Sequence, residues 1–122
     1  MLRSLTLNSN PYIQFLNLSQ ALTQKEVGQD LDTVCVKLLG LITISNAKDE
    51  ALTVSQAMGM SLMGSPATMH RKIDILRKQG WIDLVHEGED RRTKYLVPTA
   101  KTYKYFESLS KVMSKAWVKA KA

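Results

Sequence analysis

The sequence predicts a mainly α-helical fold with one small β-hairpin. Three observations support this prediction. Several segments repeat their apolar residues with helical spacing, residues that favour helix N-caps precede them, and two short apolar segments flank a charged turn. Helical spacing gathers apolar side chains on one face, whereas a hairpin needs two short strands joined by a turn. The 122 residues fit a single domain, and no repeat or low-complexity tract divides them.

The N-terminal part of the chain, residues 10–48, predicts two helices. Asn10-Pro11 marks the start of the first, because Asn can cap a helix and Pro is tolerated at its first position. A break follows at Val27-Gly28-Gln29, and either Asp30 or Asp32 can cap the second helix. The apolar residues of this second helix form one continuous face, which consists of Leu31, Val34, Cys35, Leu38, Leu39 and Ile42.

Two more helices, joined by a tight link, are predicted in the middle of the chain. Leu52-Thr53-Val54 can pair briefly as a strand, and Thr53 can also cap a short helix over 54–60. After a linker at 61–64, Ser65-Pro66 repeats the pattern of a capping residue followed by proline. The helix that begins there should run to about Gln79, and its inward-facing residues are Met69, Ile73 and Leu76.

The hairpin follows directly. Gly80 suits a left-handed helix end, residues 81–86 are typical of a strand, and the polar residues 87–92 predict a turn. Residues 93–97 predict the returning strand, which Pro98 ends because proline cannot donate a ladder hydrogen bond.

A last helix, capped by Thr99, should extend to about Lys121. A short helix, a tight link, a capped helix and a charged hairpin together predict a winged helix-turn-helix. We expect one winged-helix domain over residues 1–122. Its parts are N-terminal helices at 10–48, the helix-turn-helix and wing at 52–98, and a C-terminal dimerisation helix at 99–121.

The charge of the chain favours a nucleic-acid partner. The formal net charge is +6, and residues 95–122 carry six basic residues against one acidic residue. Such a balance suits DNA, and an anionic membrane surface is the other partner it would suit. The longest apolar stretch, from Val34 to Ile44, contains Lys37 and is about half as long as a membrane span. We therefore expect double-stranded DNA, and no membrane, as partner.

A recognition helix contacts bases with side chains near its N-terminus. Arg71 is the foremost candidate, because a guanidinium can pair with two acceptors of guanine. An Arg at the wing tip can enter a narrow minor groove. The alternative for the helix residues is a solvated helix face, and the alternative for the wing residues is a solubilising hairpin turn. The predicted DNA-binding residues are Ser65, Pro66, Ala67, Thr68, His70, Arg71, Lys72, Arg91, Arg92 and Lys94.

Asp90 precedes the two wing arginines and would repel a phosphate. Its predicted role is therefore to hold one of these arginines in position, which makes it a wing-stabilising residue. Glu87 and Glu89 add further negative charge to the same turn. They favour the alternative of a solubilising hairpin, and they would also keep the wing from binding DNA indiscriminately.

The stretch from Leu52 to Thr99 resembles the winged helix of MarR-type bacterial transcription regulators. The residues 65–71, Ser-Pro-Ala-Thr-Met-His-Arg, are similar to that family's Ser-x-Ser-Thr-x-Ser-Arg. Residues 76–82 resemble its Leu-x-x-x-Gly-aromatic-Ile junction, and Asp90-Arg91-Arg92 matches its Asp-x-Arg wing motif. The resemblance implies that Thr68 and Arg71 contact DNA and that Asp90 holds Arg92. It also implies a homodimer and a pocket for a small-molecule effector, although no set of residues identifies that effector.

The first and last helices carry more large apolar residues than one small domain needs. We expect a two-fold dimer through these helices, so that two recognition helices meet successive major grooves about 34 Å apart. The alternative is a helix folded back on its own core. The predicted dimerisation residues are Tyr12, Phe15, Leu16, Phe106, Leu109, Met113 and Trp117.

Other classes of function have less support. His70 and His86 are the only histidines, and no phosphate loop, zinc-ligand cluster or nucleophile motif is present, so we expect no enzyme, cofactor or metal. Cys35 is the single cysteine; the absence of an intrachain disulfide suggests the cytoplasm. Its place in an apolar stripe indicates an inert buried thiol rather than a redox sensor.

The predicted function is sequence-specific DNA binding by a dimeric regulator, with repression expected rather than activation. Two alternatives are a winged helix that serves as a protein-interaction or assembly module, and a non-specific DNA-binding protein of the replication or nucleoid type.

Overall fold

The structure is a computed structural model and describes residues 10–27, 31–60, 64–89 and 91–121. Within these residues the predicted fold class is confirmed, because helices dominate and the two strands form one antiparallel hairpin. The elements in chain order are α1 (Pro11–Glu26), α2 (Thr33–Ala47), α3 (Val54–Met58), α4 (Pro66–Lys78), β1 (Ile82–Val85), β2 (Tyr95–Pro98) and α5 (Ala100–Lys121).

Side-chain caps fix the starts of the first two helices. The Asn10 side chain accepts a 2.9 Å hydrogen bond from the backbone N–H of Tyr12, with Pro11 at the first helical position. In α2, Asp32 Oδ1 accepts from the Cys35 N–H at 2.8 Å, so of the two candidate aspartates Asp32 is the cap. Each cap satisfies an N–H group that has no partner within its helix.

Helix α3 has a reciprocal cap. Thr53 Oγ1 accepts from the Gln56 N–H at 3.0 Å, and Gln56 Oε1 accepts from the Thr53 N–H at 2.9 Å. The helix ends at Met58 and not at residue 60 as predicted, because Gly59 serves as its C-cap. Thr53 also forms a single β-bridge with Tyr95, so both sequence interpretations of this residue are correct.

The described residues form two compact units. One unit comprises the described residues of Met1–Asp30 and Lys104–Ala122, and the other is Leu31–Tyr103. Helix α5 therefore begins in the second unit and continues in the first. In the first unit, the Tyr105 hydroxyl lies 2.8 Å from Thr23 Oγ1, and the buried residues include Gln14, Val27, Tyr105 and Ala116.

The second unit contains the core that carries the helix-turn-helix. The predicted apolar face of the second helix is buried, since all six of its residues are at most 8% exposed; five of them lie in α2, and Leu31 precedes its cap. Met69, Ile73 and Leu76 of α4 are also buried, as the helical spacing predicts. The hairpin contributes Ile82 and Leu96 to this core, and Trp81, just before β1, is buried as well. Apolar burial on both helices and the hairpin fixes the three against one another.

The hairpin is antiparallel, and Leu84 faces Leu96 while Ile82 faces Pro98 at its end. Strand β2 also pairs with the segment that precedes α3. Leu96 N donates to Leu52 O at 2.8 Å, and Val54 N donates to Lys94 O at 3.0 Å. The brief strand predicted at Leu52-Thr53-Val54 is thus present as a short paired segment beside β2.

The turn between α4 and β1 is held by the start of α5. Gly80 has a φ of +81°, the left-handed conformation expected after a helix end. Thr99 was predicted to cap α5, but its hydroxyl instead donates to the carbonyl oxygens of Gly80, at 2.6 Å, and Trp81, at 3.2 Å. Two more side chains donate to carbonyl oxygens of this turn, because Thr102 Oγ1 reaches Trp81 O at 2.6 Å and Lys101 Nζ reaches Gln79 O at 2.7 Å.

Two sequence predictions fall on residues that the structure does not describe. The break at Val27-Gly28-Gln29 is described at Val27, where α1 has ended, and the other two residues lie outside the described ranges. In the linker 61–64, Gly64 is the one described residue. In the described part of the chain, no helix has both the length and the apolar character that a bilayer crossing requires.

Candidate nucleic-acid interface

The N-terminus of α4 presents a connected row of polar side chains. Ser65 is its N-cap, with the hydroxyl accepting from the Thr68 N–H at 3.2 Å, and Pro66 is at the first helical position. Ser65 Oγ lies 3.2 Å from Thr68 Oγ1, and Arg71 Nη2 donates to Thr68 Oγ1 at 3.3 Å. Residues three apart are neighbours on a helix surface, which is why the sequence places these three together. The row holds the Arg71 guanidinium beside the helix N-terminus.

Gly64 approaches this row closely. Its φ is +152°, and a Cβ atom added there would lie 2.8 Å from Thr68 Cγ2 and 2.9 Å from Thr68 Cβ. Any larger residue would therefore push Thr68 away, and with it the hydroxyl that accepts from Arg71. A glycine at position 64 thus allows Thr68 the position in which its hydroxyl accepts from Arg71.

Helix α4 presents different residues to its two flanks. Successive residues are about 100° apart around a helix axis, so His70 and Lys72 lie on opposite sides of Arg71. On the His70 side an open groove of about 610 Å³ separates α4 from the hairpin. Its lining residues are Thr53, Val54, Ser55, His70, Ile73, Asp74, Arg77, Leu84, Arg92, Thr93 and Lys94.

The wing adds basic side chains next to this groove. Gly88 has a φ of +63° and makes the chain reversal, and Arg91, Arg92 and Lys94 are exposed. His86 Nδ1 lies 3.0 Å from the carbonyl oxygen of Thr93, which joins the two sides of the turn. The predicted wing-stabilising residue, Asp90, lies outside the described residues, so its role stays a prediction.

Lys72 lies on the other flank, towards the start of α2. Its Nζ forms an ion pair with Asp32 Oδ2. The pKa of Asp32 is lowered, first by this hydrogen bond and then by the bond from the Cys35 N–H, whereas the pKa of Lys72 is raised by the same pairing. Both shifts show that the pairing stabilises the charged forms, so Lys72, one of the predicted DNA contacts, is paired with a carboxylate.

The chemical environment of the Cys35 thiol is set by burial and by the neighbouring Asp32. The residue is fully buried. Burial raises the pKa of its thiol, and the negative charge of Asp32 raises it further. Because the thiolate is the reactive form, this environment favours an inert thiol. Among the described residues, no group of three or more His, Cys, Asp or Glu is placed to bind a metal ion.

The predicted dimerisation residues lie in the first unit, on α1 and the later part of α5. Tyr12, Leu16, Met113 and Trp117 are exposed, with Tyr12 at 65% and Trp117 at 56%, and Phe15, Phe106 and Leu109 are partly buried. Five residues line an apolar hollow of about 280 Å³, namely Pro11, Tyr12, Phe15, Met113 and Trp117. The sequence thus located an exposed apolar surface, although it missed Tyr105, which is the aromatic residue that the unit buries.

The structure is similar to solved structures of transcription regulators. MarR matches with a TM-score of 0.54 at 18% identity, over 84% of this chain and 72% of MarR. FabT of Streptococcus pneumoniae, solved in complex with DNA, matches with a TM-score of 0.53 at 25% identity over the same shares. The chain has the MarR-type winged-helix fold. PcaV of Streptomyces coelicolor, solved with its natural ligand, matches with a TM-score of 0.50 at 17% identity, over 94% of this chain and 80% of PcaV.

No family model matches the chain, and no curated protein sequence does either. The similarity to MarR-type structures is therefore one of fold, which the short motifs at 65–71 and 76–82 anticipated. Within this MarR-type fold, α3 and α4 form the helix-turn-helix, and the β1–β2 hairpin is the wing.

The structure brings several predicted site residues together and separates others. Ser65, Thr68 and Arg71 are joined by hydrogen bonds, whereas His70 lines the groove together with Arg92 and Lys94. Pro66 and Ala67 are exposed at the helix start. The sequence analysis missed the pairing of Lys72 with Asp32. Forty residues separate the two, and no local spacing could have indicated it.

Proposed function

We propose that the chain is a dimeric transcription regulator that binds double-stranded DNA sequence-specifically and represses rather than activates. The observation that carries the proposal is the hydrogen-bonded row of Ser65, Thr68 and Arg71 at the exposed N-terminus of α4. A helix N-terminus favours an anion, and an Arg held there is oriented before it meets a base. FabT, which shares the fold at 25% identity and was solved in complex with DNA, supports the same function.

The side chains at the start of α4 would make different kinds of contact with DNA. Arg71 would pair with the O6 and N7 acceptors of guanine in the major groove. Ser65 and Thr68 would donate to phosphate or to a base edge, and the small Ala67 would permit close approach or contact a thymine methyl group. Pro66 leaves the helix start free of an unpaired N–H group.

The wing would contact the minor groove beside the recognition helix. Arg91, Arg92 and Lys94 are exposed there, and an Arg is attracted by the negative potential of a narrow A·T-rich groove. Asp90 would hold Arg92 in place. His70 and Arg92 both line the groove between α4 and the wing, so phosphate contacts there would join the two elements on one stretch of DNA.

A homodimer would bury the apolar surface of the first unit. Tyr12, Met113 and Trp117 expose large apolar areas around one hollow, and Leu16 is exposed on the same helix as Tyr12. An exposed apolar patch of this kind marks an interaction surface. A two-fold axis through these helices would give two recognition helices and a near-palindromic site. The partly buried Phe15, Phe106 and Leu109 would add apolar contacts to this interface.

One observation favours a second candidate function, a protein-interaction module. Glu87 and Glu89 are exposed on the wing, and Asp74 lines the groove next to His70. These acids would repel phosphates and could bind a basic protein partner. A charge-driven, non-specific DNA-binding protein is the remaining alternative, and it would show a steep salt dependence without sequence preference.

The deciding experiment selects bound duplexes from a random-sequence library at near-physiological salt. Recovery of an inverted repeat with half-sites about one helical turn apart would support a dimeric, sequence-specific regulator. Measured affinity for the recovered site should exceed that for scrambled DNA by roughly a thousandfold or more. Strong binding without enrichment would favour the non-specific alternative. Recovery of nothing above background would contradict DNA binding and favour the protein-interaction module.

A further inference from the structure

We infer that Asp32 and Lys72 are positioning residues for DNA recognition: their ion pair fixes the rotation of α4, and Lys72 is not itself a phosphate contact. The inference rests on the proposed function, since it assigns a role in the reading of DNA. It replaces the direct DNA contact that the sequence predicted for Lys72.

Asp32 uses each of its carboxylate oxygens for a different element. Oδ1 accepts from the Cys35 N–H at 2.8 Å and so caps α2. Oδ2 accepts from Lys72 Nζ and so binds α4. Because Cys35 is fully buried, the cap is anchored in the core of the unit. The bond from the Cys35 N–H restrains the Asp32 carboxylate, and the ion pair with Lys72 connects α4 to it.

Lys72 is the contact that fixes the rotation of α4. The inner face of this helix is held by Met69, Ile73 and Leu76, whose apolar contacts are not directional. Of the side-chain hydrogen bonds and ion pairs that α4 makes in the described part of the chain, the Lys72–Asp32 pair is the one that reaches another helix. A directional bond on one flank adds an angular constraint to the position that apolar packing gives the helix.

The rotation matters because Arg71 is the residue directly before Lys72. A guanidinium reads guanine through two roughly parallel hydrogen bonds, which tolerate little angular error. A rotation of α4 about its axis would move Arg71 across the base edges of the DNA major groove and would break the ion pair with Asp32. The pair therefore favours the rotation in which Arg71 faces outward.

The charge balance around Lys72 argues against a phosphate contact. The Lys72 side chain is 22% exposed, that of Asp32 is 49% exposed, and the carboxylate is paired with the Lys72 ammonium. The lowered pKa of Asp32 and the raised pKa of Lys72 agree with two charges that neutralise each other. A phosphate approaching Lys72 would meet the negative charge of Asp32 as well.

The test compares single and double variants on two probes, the duplex recovered by the library selection and a scrambled duplex of equal length. Lys72→Gln removes the charge, Asp32→Asn removes the charge but keeps a good N-cap acceptor, and Lys72→Arg keeps the pair. For each protein, affinity is measured on both duplexes over a range of salt concentrations. Urea unfolding of the same proteins reports whether they fold and whether the two residues are coupled.

We expect Lys72→Gln, Asp32→Asn and the double variant each to lower the ratio of specific to scrambled affinity by a similar factor, about fivefold, because residues acting through one contact are not additive. Lys72→Arg should retain the ratio. The dependence of log affinity on log salt should stay within about half a unit of the wild type for all variants, because no phosphate contact is lost.

A phosphate contact would give a different pattern. Lys72→Gln would then reduce the salt slope by about one and weaken both duplexes equally, and Asp32→Asn would tighten binding. That pattern would overturn the inference and leave the proposed function intact, as would strictly additive effects of Asp32→Asn and Lys72→Gln on urea unfolding. If the wild type itself binds neither duplex, the proposed function fails and this role fails with it.

Discussion

The hydroxyl of Thr102 donates a 2.6 Å hydrogen bond to the carbonyl oxygen of Trp81, and both residues are buried. The bond ties the first turn of α5 to the turn that follows α4. Trp81 O also accepts from the Thr99 N–H at 3.1 Å, and Lys101 Nζ lies 4.2 Å from the centroid of the Trp81 ring. The end of α4 is thus held by the start of α5.

Removal of this hydrogen bond should lower stability by a measurable amount. Thr102→Val keeps the shape of the side chain, and we expect the free energy of unfolding to fall by about 1 kcal/mol, because the carbonyl keeps its bond from Thr99. Urea unfolding measures the change. Ser108→Ala is the matched control, since its hydroxyl bonds an exposed carbonyl of the same helix and should matter by less than about 0.5 kcal/mol. Equal losses in the two variants would contradict the buried role of Thr102.

Arg71→Ala should weaken binding to the selected duplex by about 1–3 kcal/mol and relax base choice at one position of each half-site. The reason is the loss of a side chain that pairs with a base edge. Lys78→Ala is the control, because Lys78 is an exposed cation at the far end of the same helix. Its removal should affect all sequences alike. Unchanged affinity and base choice in Arg71→Ala would remove Arg71 from the reading surface.

Arg92→Ala should weaken binding most where the flanks of the site are A·T-rich. A narrow minor groove concentrates negative potential, and an inserted Arg senses its width. The measurement is the affinity for one core site placed between A·T-rich or G·C-rich flanks. The same loss on both kinds of flank would indicate simple charge attraction at the wing.

Trp117→Glu should convert the proposed homodimer to a monomer. A charge would enter the apolar hollow that Trp117 lines with Tyr12 and Met113, and desolvating that charge in an interface is costly. Sedimentation equilibrium gives the mass. Ser114→Glu adds the same charge at an exposed position on the same helix and should leave the association constant nearly unchanged. A wild type that is monomeric at tens of micromolar protein would contradict the dimer.

Asp32 should make stability depend on pH in the acid range. Its pKa lies below the ordinary value of about 3.8 in the folded chain, so the ionised form stabilises the fold at neutral pH. That contribution is lost as the pH falls through the lowered pKa, between about pH 5 and pH 2. It should be small, since the carboxylate is half exposed and water screens it. Thermal unfolding of the wild type and Asp32→Asn should therefore differ at pH 7 and converge in acid. A constant difference would contradict the assignment.

The helices and the wing could be predicted because their signals are local. Asn10-Pro11 and Ser65-Pro66 place a capping acceptor before a proline, and the buried residues of α2 repeat with helical spacing. Gly80 marks the end of α4 because its left-handed conformation costs a glycine little. Such signals lie within a few residues of the element that they define, and for that reason the sequence by itself determined the order of elements and the approximate bounds of α4.

The tertiary structure decided the contacts between distant residues. Thr99 stands where a cap is expected, yet its hydroxyl donates to Gly80 and Trp81, because those carbonyls at the end of the preceding turn lie within its reach. Lys72 lies in α4, but its side chain pairs with Asp32, forty residues earlier. Local spacing fixes which face of a helix a residue is on, whereas packing of the helices fixes what that face meets.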